Sequence, residues 1–464
     1  MRVAVVGAGI VGITSAYELA ADGHEVTVFE QRGSVAAETS FANAGVIAPG
    51  CVTPWASPGM PVKVLRHLLS QHAPVRLNAR LDAATLAWMW TWWRACRRKT
   101  FELNRARMQR LALFSRDRLH TLTRNLQLDY ERAEGYLVLL RSEQEHAVLL
   151  PGLKVMTELG VKFNPLSPQQ CHAVEPGLNA DTPLHGGIYL PDDEVANCRQ
   201  FAHLMRGEAQ RLGVRFRFHT KVQRLVPGPH PQLVHLYSPP EESTVLLSST
   251  GVSDADHAPT EPMPFEPVNE TFDAILVCAA MGAPALLRPH GLKLPLAAVY
   301  GYSITAPIRH DEAHPERGPR SAVMDEKFKV AISRLGNRVR VAGGAELGGT
   351  PKRHNAAAID TLYKVLNDWF PGAARLSQAQ RWKGARPMLP DGPPVLGKCG
   401  LDGVWVNLGH GSSGWALSCG SARLVADMLA GRAPSIDVDG LGIDRLIRRL
   451  TLPLESVPHS RVTN

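Results

Sequence analysis

Three glycines near the N-terminus have the spacing of a turn that binds a dinucleotide. Gly7, Gly9 and Gly12 form a GxGxxG pattern directly after the β-branched run 2–6, which suits a buried parallel strand. The first glycine permits a tight turn, the second lets the backbone approach a pyrophosphate, and the third lets a helix lie close to the strand. Glu30 follows Gly12 by eighteen positions, where a carboxylate accepts hydrogen bonds from a ribose diol. These residues predict a dinucleotide site rather than a plain glycine turn.

The elements around these glycines supply the context that the motif requires. A helix is predicted over residues 10–21, and its N-terminus would hold the pyrophosphate through unpaired N–H groups and the helix dipole. A second strand is predicted over residues 25–30. A later apolar strand begins at Phe272 and ends in a turn of small residues from Ala279 to Gly282. Residues 2–30 therefore predict a strand, turn, helix and strand that together form a dinucleotide-binding unit.

Length and composition set broad limits. A chain of 464 residues exceeds one ordinary core and suggests two or three domains. Lys and Arg exceed Asp and Glu by 51 to 43, which favours acidic surfaces or anionic substrates, and no nucleic-acid module is recognisable. The seven cysteines are widely spaced without a CxxC pair, so neither a disulfide framework nor a metal site is indicated. No signal peptide and no run of about 18 apolar residues is recognised, and a cytoplasmic location is expected.

The segments after the second predicted strand carry a more specific signal. Residues 38–50 read ETSFANAGVIAPG, residues 54–59 read PWASPG, and residues 88–90 read WMW. These segments resemble the FAD-dependent amine oxidoreductases of the glycine oxidase and D-amino-acid dehydrogenase superfamily, and in particular the small subunit of bacterial D-amino-acid dehydrogenases. The resemblance extends to about Ile436 with one long interruption.

The resemblance implies an α/β fold in which the chain crosses repeatedly between two domains. A Rossmann-type FAD-binding domain would comprise residues 1–52, 196–290 and 384–440, and an antiparallel-sheet α+β substrate domain would comprise residues 53–195 and 291–383, before a C-terminal tail at 441–464. Nine prolines between residues 227 and 267, with few apolar residues, predict a mobile surface loop at about 227–270. A partner-binding segment is the alternative.

The implied cofactor is non-covalent FAD. Residues 38–50 are expected to approach the flavin ring, and we call them the flavin loop. Cys51 follows this loop and is a conceivable covalent attachment point, but a buried, inert thiol is expected. The expected FAD contacts lie in the glycine turn, the loop after the second strand, two later strands and the start of a C-terminal helix: Gly7, Gly9, Ile10, Val11, Gly12, Glu30, Gln31, Arg32, Ser40, Asn43, Ala44, Gly45, Val46, Ile47, Val222, Ala279, Gly282, Gly411, Ser412, Ser413 and Gly414.

Three residues are candidates for the substrate site. Arg386 matches the family arginine that pairs with the substrate carboxylate, and a guanidinium offers two parallel donors to a planar anion. Tyr302 is expected to add a hydroxyl to the same carboxylate, with a core role as the alternative because Tyr300 shares its face of the strand. His410 precedes a glycine-rich helix N-terminus, where a backbone role toward the flavin is favoured over proton transfer by the ring.

The activity implied by the resemblance is oxidative deamination of D-amino acids to 2-oxo acids and ammonia. Hydride would pass to flavin N5, and the electrons would go on to a membrane quinone. The alternatives are an oxygen-using oxidase of glycine, sarcosine or D-amino acids, a dehydrogenase of D-proline or hydroxyproline, and a flavin subunit that requires a partner chain. Side-chain preference, electron acceptor and oligomeric state are not fixed by the sequence.

The segment from Trp88 to Arg118 combines tryptophans with a strong basic excess. Nine basic and two acidic residues lie between Arg94 and Arg118, and four tryptophans precede or adjoin them. Trp with Lys and Arg is typical of a helix at a membrane interface. A core helix with solvated arginines is the alternative. The first interpretation predicts peripheral association with the inner membrane.

Overall fold

The computed structural model describes residues 1–67, 72–77, 82–237, 266–309, 317–351 and 353–446. The helices in this part of the chain are Ile10–Ala21 (α1), Met60–His67 (α2), Ala83–Ala95 (α3), Arg98–Asn125 (α4), Glu143–Glu158 (α5), Pro168–Val174 (α6), Cys198–Arg211 (α7), Ala283–Leu287 (α8), Ala356–Trp369 (α9) and Gly414–Leu429 (α10). The strands are Arg2–Val6 (β1), Glu25–Phe29 (β2), Val46–Ile47 (β3), Val75–Leu77 (β4), Ala133–Leu140 (β5), Asn164–Leu166 (β6), Gly186–Val195 (β7), Arg215–Arg217 (β8), Thr220–Val226 (β9), Gln232–Tyr237 (β10), Val268–Thr271 (β11), Ala274–Val277 (β12), Ala297–Pro307 (β13), Ala322–Asp325 (β14), Val330–Leu335 (β15), Arg338–Leu347 (β16), Gln380–Met388 (β17), Val395–Lys398 (β18) and Val404–Leu408 (β19).

A six-stranded sheet positions the glycine turn. Its strand order is β18, β19, β12, β1, β2, β8, and every neighbouring pair is parallel except β18 with β19. Val3 and Val5 share a core with α1, α7 and α10, whereas Ala4 and Val6 share a core with β9, β10 and α8. Because both faces of β1 are covered, the strand is apolar at consecutive positions. The predicted helix over residues 10–21 is confirmed as α1.

The sequence range predicted for the mobile loop, about 227–270, is too wide. Strands β10 and β11 lie inside this range and pair with each other, and β10 also pairs with β9, all antiparallel. Leu233 and Val234 on β10 are buried, and these side chains allow the strand to pack despite the proline-rich composition around it. Residues 238–265, which hold much of that composition, lie outside the described part of the chain.

The largest sheet carries the remaining strands. Its main path runs β17, β13, β16, β15, β14, β5, β7, β3, with β4 beside β16 and β6 beside β7, and most pairs are antiparallel. Helix α9 covers one face through Leu362, Val365 and Trp369. Both β3 and β17 join this sheet, although the predicted boundaries assign residues 46–47 and 384–388 to the FAD-binding domain. The domain boundaries stay a prediction.

The buried carboxylate of Glu18 connects the helices α1, α4 and α10. Glu18 on α1 is fully buried and accepts hydrogen bonds from Arg118 Nε and Nη2 on α4, at 2.6 and 2.7 Å. Arg423 on α10 donates Nη1 to the same carboxylate at 2.7 Å. A buried charge is tolerated when it is paired on each oxygen, as here. The cluster therefore fixes α4 and α10 against the helix of the glycine turn.

The tryptophans of α3 divide between the core and the surface. Trp88 is 7% exposed and donates its indole N–H to the carbonyl of Met388 at 3.0 Å. Trp90 and Trp93 are 60% and 50% exposed, and their rings stack with centroids 5.0 Å apart. Of these three tryptophans, Trp90 and Trp93 therefore fit the predicted location at a membrane interface, whereas Trp88 does not. No helix within the described ranges has both the length and the apolar character that crossing a bilayer requires.

Candidate active site

The glycine turn has the close packing that its sequence predicts. Gly7 has a φ of +104°, and a Cβ there would lie 2.9 Å from the carbonyl oxygen of Cys278. A Cβ on Gly12 would lie 1.9 Å from the carbonyl oxygen of Gly7. A side chain at Gly12 would therefore push α1 off the end of β1, and one at Gly7 would meet the backbone after β12. The two glycines thus allow α1 and these strand ends to pack closely.

The start of α1 keeps N–H groups available for an anion. Gly9 caps the helix without a side-chain hydrogen bond, and the Ile10 N–H donates to Ser40 Oγ at 3.1 Å. In the described part of the chain, no acceptor is found for the N–H groups of Val11 and Gly12. Free N–H groups and the helix dipole suit a pyrophosphate. The residues present therefore fit the dinucleotide part of FAD.

Glu30 joins the glycine turn to the end of β2. One carboxylate oxygen accepts the Ala8 N–H at 2.7 Å, and the other accepts the Arg32 N–H at 2.8 Å. Burial raises the pKa of this carboxyl, against the lowering effect of the two backbone hydrogen bonds. Each oxygen keeps a further lone pair for a ribose hydroxyl. Gln31 and Arg32 both donate to Glu38 at the mouth of this turn, at 3.2 and 2.9 Å.

The loop expected to face the flavin ring turns at Gly45. This residue has a φ of +79°, its N–H donates to Asn43 Oδ1 at 3.0 Å, and a Cβ would lie 2.8 Å from the carbonyl oxygen of Ala196. Val46 and Ile47 then pair with β7. The loop therefore reaches from the parallel sheet into the largest sheet.

The other predicted cofactor segments occupy strand ends and a helix start. Ala279 to Gly282 forms a turn, with the Gly282 N–H donating to the Ala279 carbonyl at 2.7 Å. Val222 is buried on β9. Gly411, Ser412 and Ser413 form a 3₁₀ turn, and α10 starts at Gly414 without a side-chain cap. Burial raises the pKa of the Cys51 thiol well above its ordinary value, which makes it unreactive toward a flavin.

Arg386 holds a cation that has no carboxylate partner among the described residues. Its Nη1 donates to the carbonyl of Gly344 at 2.8 Å, and the guanidinium carbon lies 5.7 Å from the centroid of the Trp55 ring. Burial lowers the pKa of Arg386 to about 10, so the group stays charged at neutral pH. A Cβ on Gly301 would lie 2.3 Å from Nη2, so this glycine provides the space for the guanidinium. The rest of the fork is available to an anionic ligand.

The structure separates Tyr302 from Arg386, with which it was predicted to share the substrate carboxylate. In the β13 and β17 register Val299 opposes Arg386, so Arg386 shares a face with Gly301, and Tyr302 lies on the opposite face. Tyr302 is buried, donates to Glu346, and lies under Lys383 with the ammonium 5.2 Å from its ring. The alternative, a core tyrosine, is what the fold contains.

The surroundings of the His410 ring disfavour a role as a base. It is buried, and Nε2 lies 3.0 Å from Ser421 Oγ on α10. Burial lowers the pKa of His410 to about 3, which makes the ring a weak proton acceptor at neutral pH. These contacts support the backbone role that was favoured from the sequence, and the role of His410 stays a prediction.

Two residues that the sequence interpretation left without a role connect the site. Trp55 places its ring centroid 5.7 Å from the guanidinium carbon of Arg386 and donates its indole N–H to Ser412 Oγ at 3.1 Å, which links the guanidinium to the start of α10. Thr39 Oγ1 donates to the carbonyl of Ala385 at 2.7 Å, which joins the flavin loop to β17. A single aromatic between two prolines, directly after the flavin loop, was the available signal for Trp55.

Comparison with known proteins agrees with this geometry. Residues 2–428 match the family model described as FAD dependent oxidoreductase. The chain belongs to that family. A D-amino acid dehydrogenase of Cereibacter sphaeroides is 43% identical over 453 residues, which cover 96% of each chain. A D-amino acid dehydrogenase of Bradyrhizobium diazoefficiens is 39% identical over 451 residues, covering 97% of this chain and 100% of the relative.

Solved structures show the same fold at lower identity. Glycine oxidase from Geobacillus kaustophilus has a TM-score of 0.70 and 21% identity, covering 96% of this chain and 100% of its own. L-proline dehydrogenase from P. horikoshii has a TM-score of 0.65 and 16% identity, covering 96% and 97%. The predicted fold class and FAD are thereby confirmed, and the protein is an FAD-dependent oxidoreductase.

Proposed function

We propose that this enzyme oxidises D-amino acids to 2-oxo acids and ammonia. The observation that carries the proposal is the half-buried guanidinium of Arg386 beside Trp55 and the start of α10, which has no carboxylate partner among the described residues. An α-carboxylate is the planar anion that such a fork recognises. The relatives named D-amino acid dehydrogenase at 39–43% identity favour this substrate class over other carboxylates.

The protein groups mainly position the substrate. Arg386 would bind the carboxylate, with Trp55 holding the guanidinium plane, so that the amino-acid Cα has a fixed place. FAD, held by the glycine turn and Glu30, supplies the acceptor for the hydride that leaves Cα. The amine loses one proton, and water then hydrolyses the resulting imine to the 2-oxo acid and ammonia. Since His410 is neutral and bonded to Ser421, solvent takes the proton.

The N-terminus of α10 would contribute electrostatics rather than proton transfer. Gly411 to Gly414 bring backbone N–H groups to the beginning of a sixteen-residue helix that has no acidic residue in its first turn. The positive end of the helix dipole favours negative charge nearby. This arrangement would stabilise the charge that a reduced cofactor carries.

The direct test is a panel of D- and L-amino acids with the FAD-loaded enzyme and an artificial redox dye. We expect dye reduction with D-amino acids, formation of one 2-oxo acid for every two electrons that the dye accepts, and no peroxide when the dye is omitted. Peroxide release would assign an oxidase, and activity confined to D-proline or hydroxyproline would assign a cyclic amino-acid dehydrogenase. Absence of any turnover would assign a subunit that needs a partner. Each of these results would contradict the proposal.

We further propose that the electrons pass to a membrane quinone while the enzyme rests on an anionic lipid surface. The support is an exposed apolar set on α2 and α3, namely Val62, Leu65, Leu86, Trp90 and Trp93. Five of the nine basic residues between 94 and 118 are paired with carboxylates, whereas Arg94, Arg97, Lys99 and Arg105 have none among the described residues. Each free cation near an anionic surface contributes about 1 kcal/mol, and the tryptophans would enter the interface.

Vesicle sedimentation tests this surface. The wild-type enzyme should bind vesicles that contain anionic lipid at low salt and dissociate at high salt, since surface charges are screened within about 10 Å at 0.1 M. A Trp90→Ser, Trp93→Ser double variant should bind at least tenfold more weakly. Leu150→Ser is the matched control, because Leu150 is equally exposed on another helix, α5. Equal binding by all three proteins, or none by the wild type, would remove this surface from the account.

A further inference from the structure

Three side chains of the largest sheet hold three consecutive carbonyls of the flavin loop. Ser303 Oγ donates to the Ala42 carbonyl at 2.8 Å, and Ser333 Oγ donates to the Ala44 carbonyl at 2.7 Å. Between them, Arg340 Nη1 donates to the Asn43 carbonyl at 3.1 Å. The donors come from β13, β15 and β16 and are all buried. The loop is therefore fastened to the sheet at every peptide from 42 to 44.

The sheet register places these donors side by side. Ser333 opposes Arg340 across β15 and β16, and Arg340 opposes Thr305 across β16 and β13. Thr305 lies two residues after Ser303 and so on the same face, and its hydroxyl accepts Arg340 Nε at 2.9 Å. The arginine is thus held on its own sheet before it contacts the loop. Chance contact by a mobile side chain would not produce this arrangement.

The orientation of the loop follows from peptide geometry. In a trans peptide the carbonyl of one residue and the N–H of the next point in opposite directions, and this chain has no cis peptide in the structure described. The N–H groups of Asn43, Ala44 and Gly45 therefore point away from the sheet. Gly45 donates to Asn43 Oδ1, which leaves the N–H groups of Asn43 and Ala44 without an acceptor in the described residues.

The charge of Arg340 acts on the same peptides. No carboxylate of a described residue lies within 4.0 Å of its guanidinium, although Glu131 acts on the charge from farther away. Burial lowers the pKa of Arg340 to about 10, which leaves it protonated at neutral pH. A donor on a peptide carbonyl polarises the peptide and strengthens the N–H on its other side. The loop thus presents two strengthened donors away from the sheet.

We propose that Ser303, Ser333 and Arg340 are positioning residues that aim the Asn43 and Ala44 N–H groups at the FAD and so raise its reduction potential. The proposal rests on FAD lying against this loop, as predicted above, but not on the identity of the amino-acid substrate. Donors directed at a reducible ring stabilise the negative charge that reduction adds. Losing one donor should favour the oxidised form.

The test is the midpoint potential of bound FAD, measured with reference dyes and a chemical reductant, so that no amino acid is needed. Ser303→Ala and Ser333→Ala should each weaken binding of reduced relative to oxidised FAD about tenfold, a fall of about 30 mV for a two-electron couple. Arg340→Met should lower the potential more, and Arg340→Lys should recover part of the loss because it keeps the charge.

The matched control is Ser321→Ala. Ser321 is also a buried hydroxyl of this part of the fold, but it donates to the carbonyl of Gly135 and does not contact the flavin loop. Its potential and visible spectrum should equal those of the wild type. The proposal is overturned if Ser303→Ala, Ser333→Ala and Arg340→Lys keep the wild-type potential with FAD bound, if the control shifts equally, or if the protein binds no FAD.

Discussion

Replacement of Arg386 by lysine separates carboxylate recognition from cofactor binding. Arg386 lies on β17, donates to the Gly344 carbonyl and lies beside Trp55, and it is not part of the glycine turn. Lysine keeps the positive charge but has no planar pair of donors and cannot stack in the same way. FAD content should therefore be unchanged, whereas the substrate should lose its bidentate partner.

The expected loss follows from the contacts that disappear. Nη1 is already bonded to Gly344, so the substrate carboxylate depends on the remaining N–H groups of the fork, and a lysine ammonium replaces these with a point charge. Loss of such a charged contact costs about 2 to 4 kcal/mol, which is about thirty- to a thousandfold in kcat/KM. Gly301→Ala should give a similar loss, because its Cβ would meet Nη2 at 2.3 Å.

The assay compares each D-amino acid with its amide. The amide has no carboxylate, so the wild type should use it poorly, and Arg386→Lys should lower kcat/KM for the acid far more than for the amide. The flavin spectrum serves as the control for cofactor binding. An equal loss for acid and amide, or unchanged kinetics for the acid, would refute the assignment of Arg386 to the carboxylate.

Three further predictions concern the cofactor, stability and pH. Glu30→Gln should weaken FAD about tenfold in a fluorescence titration, since an amide nitrogen cannot accept one of the two backbone N–H groups; an unchanged dissociation constant would contradict this. Glu18→Gln should lower the free energy of unfolding, measured in denaturant, by about 3 kcal/mol because it breaks a buried ion pair. The control Glu25→Gln breaks an exposed pair and should lower it by less than about 1 kcal/mol. Equal effects of the two variants would refute the role of burial. Because the pKa of folded His410 is lowered to about 3 and that of an unfolded histidine is about 6.5, its contribution to stability is complete above pH 6.5 and falls as the pH drops toward 3. In thermal unfolding against pH, His410→Gln should remove up to about 1.4 kcal/mol per pH unit of this dependence, and parallel curves would contradict it.

The sequence predicted best what local chemistry determines. The helix over residues 10–21 follows from the glycine spacing before it and the Asp-Gly stop after it, and both ends agree with the structure. The importance of Arg386 followed from the resemblance, and its unpaired position supports that interpretation. For the helix, the residues that decide the outcome lie within a few positions of one another.

The sequence could not decide questions that depend on distant partners. Alternation along β13 placed Tyr300 and Tyr302 on one face, but only pairing with β17 shows that Arg386 lies on the other. Helical spacing likewise did not tell the buried Trp88 from the exposed Trp90, because the Met388 carbonyl that fixes Trp88 is 300 residues away. The side chains that hold the flavin loop are also separated from it by more than 250 residues.

The central claim is that a D-amino acid gives its electrons to FAD in this chain. The most direct measurement mixes the FAD-loaded enzyme with a D-amino acid in the absence of oxygen and follows the yellow absorbance of the flavin. We expect the D-enantiomer to bleach the flavin and to yield one 2-oxo acid per FAD, while the L-enantiomer leaves the absorbance unchanged. Bleaching by the L-enantiomer alone, or by no amino acid of the panel, would contradict the account.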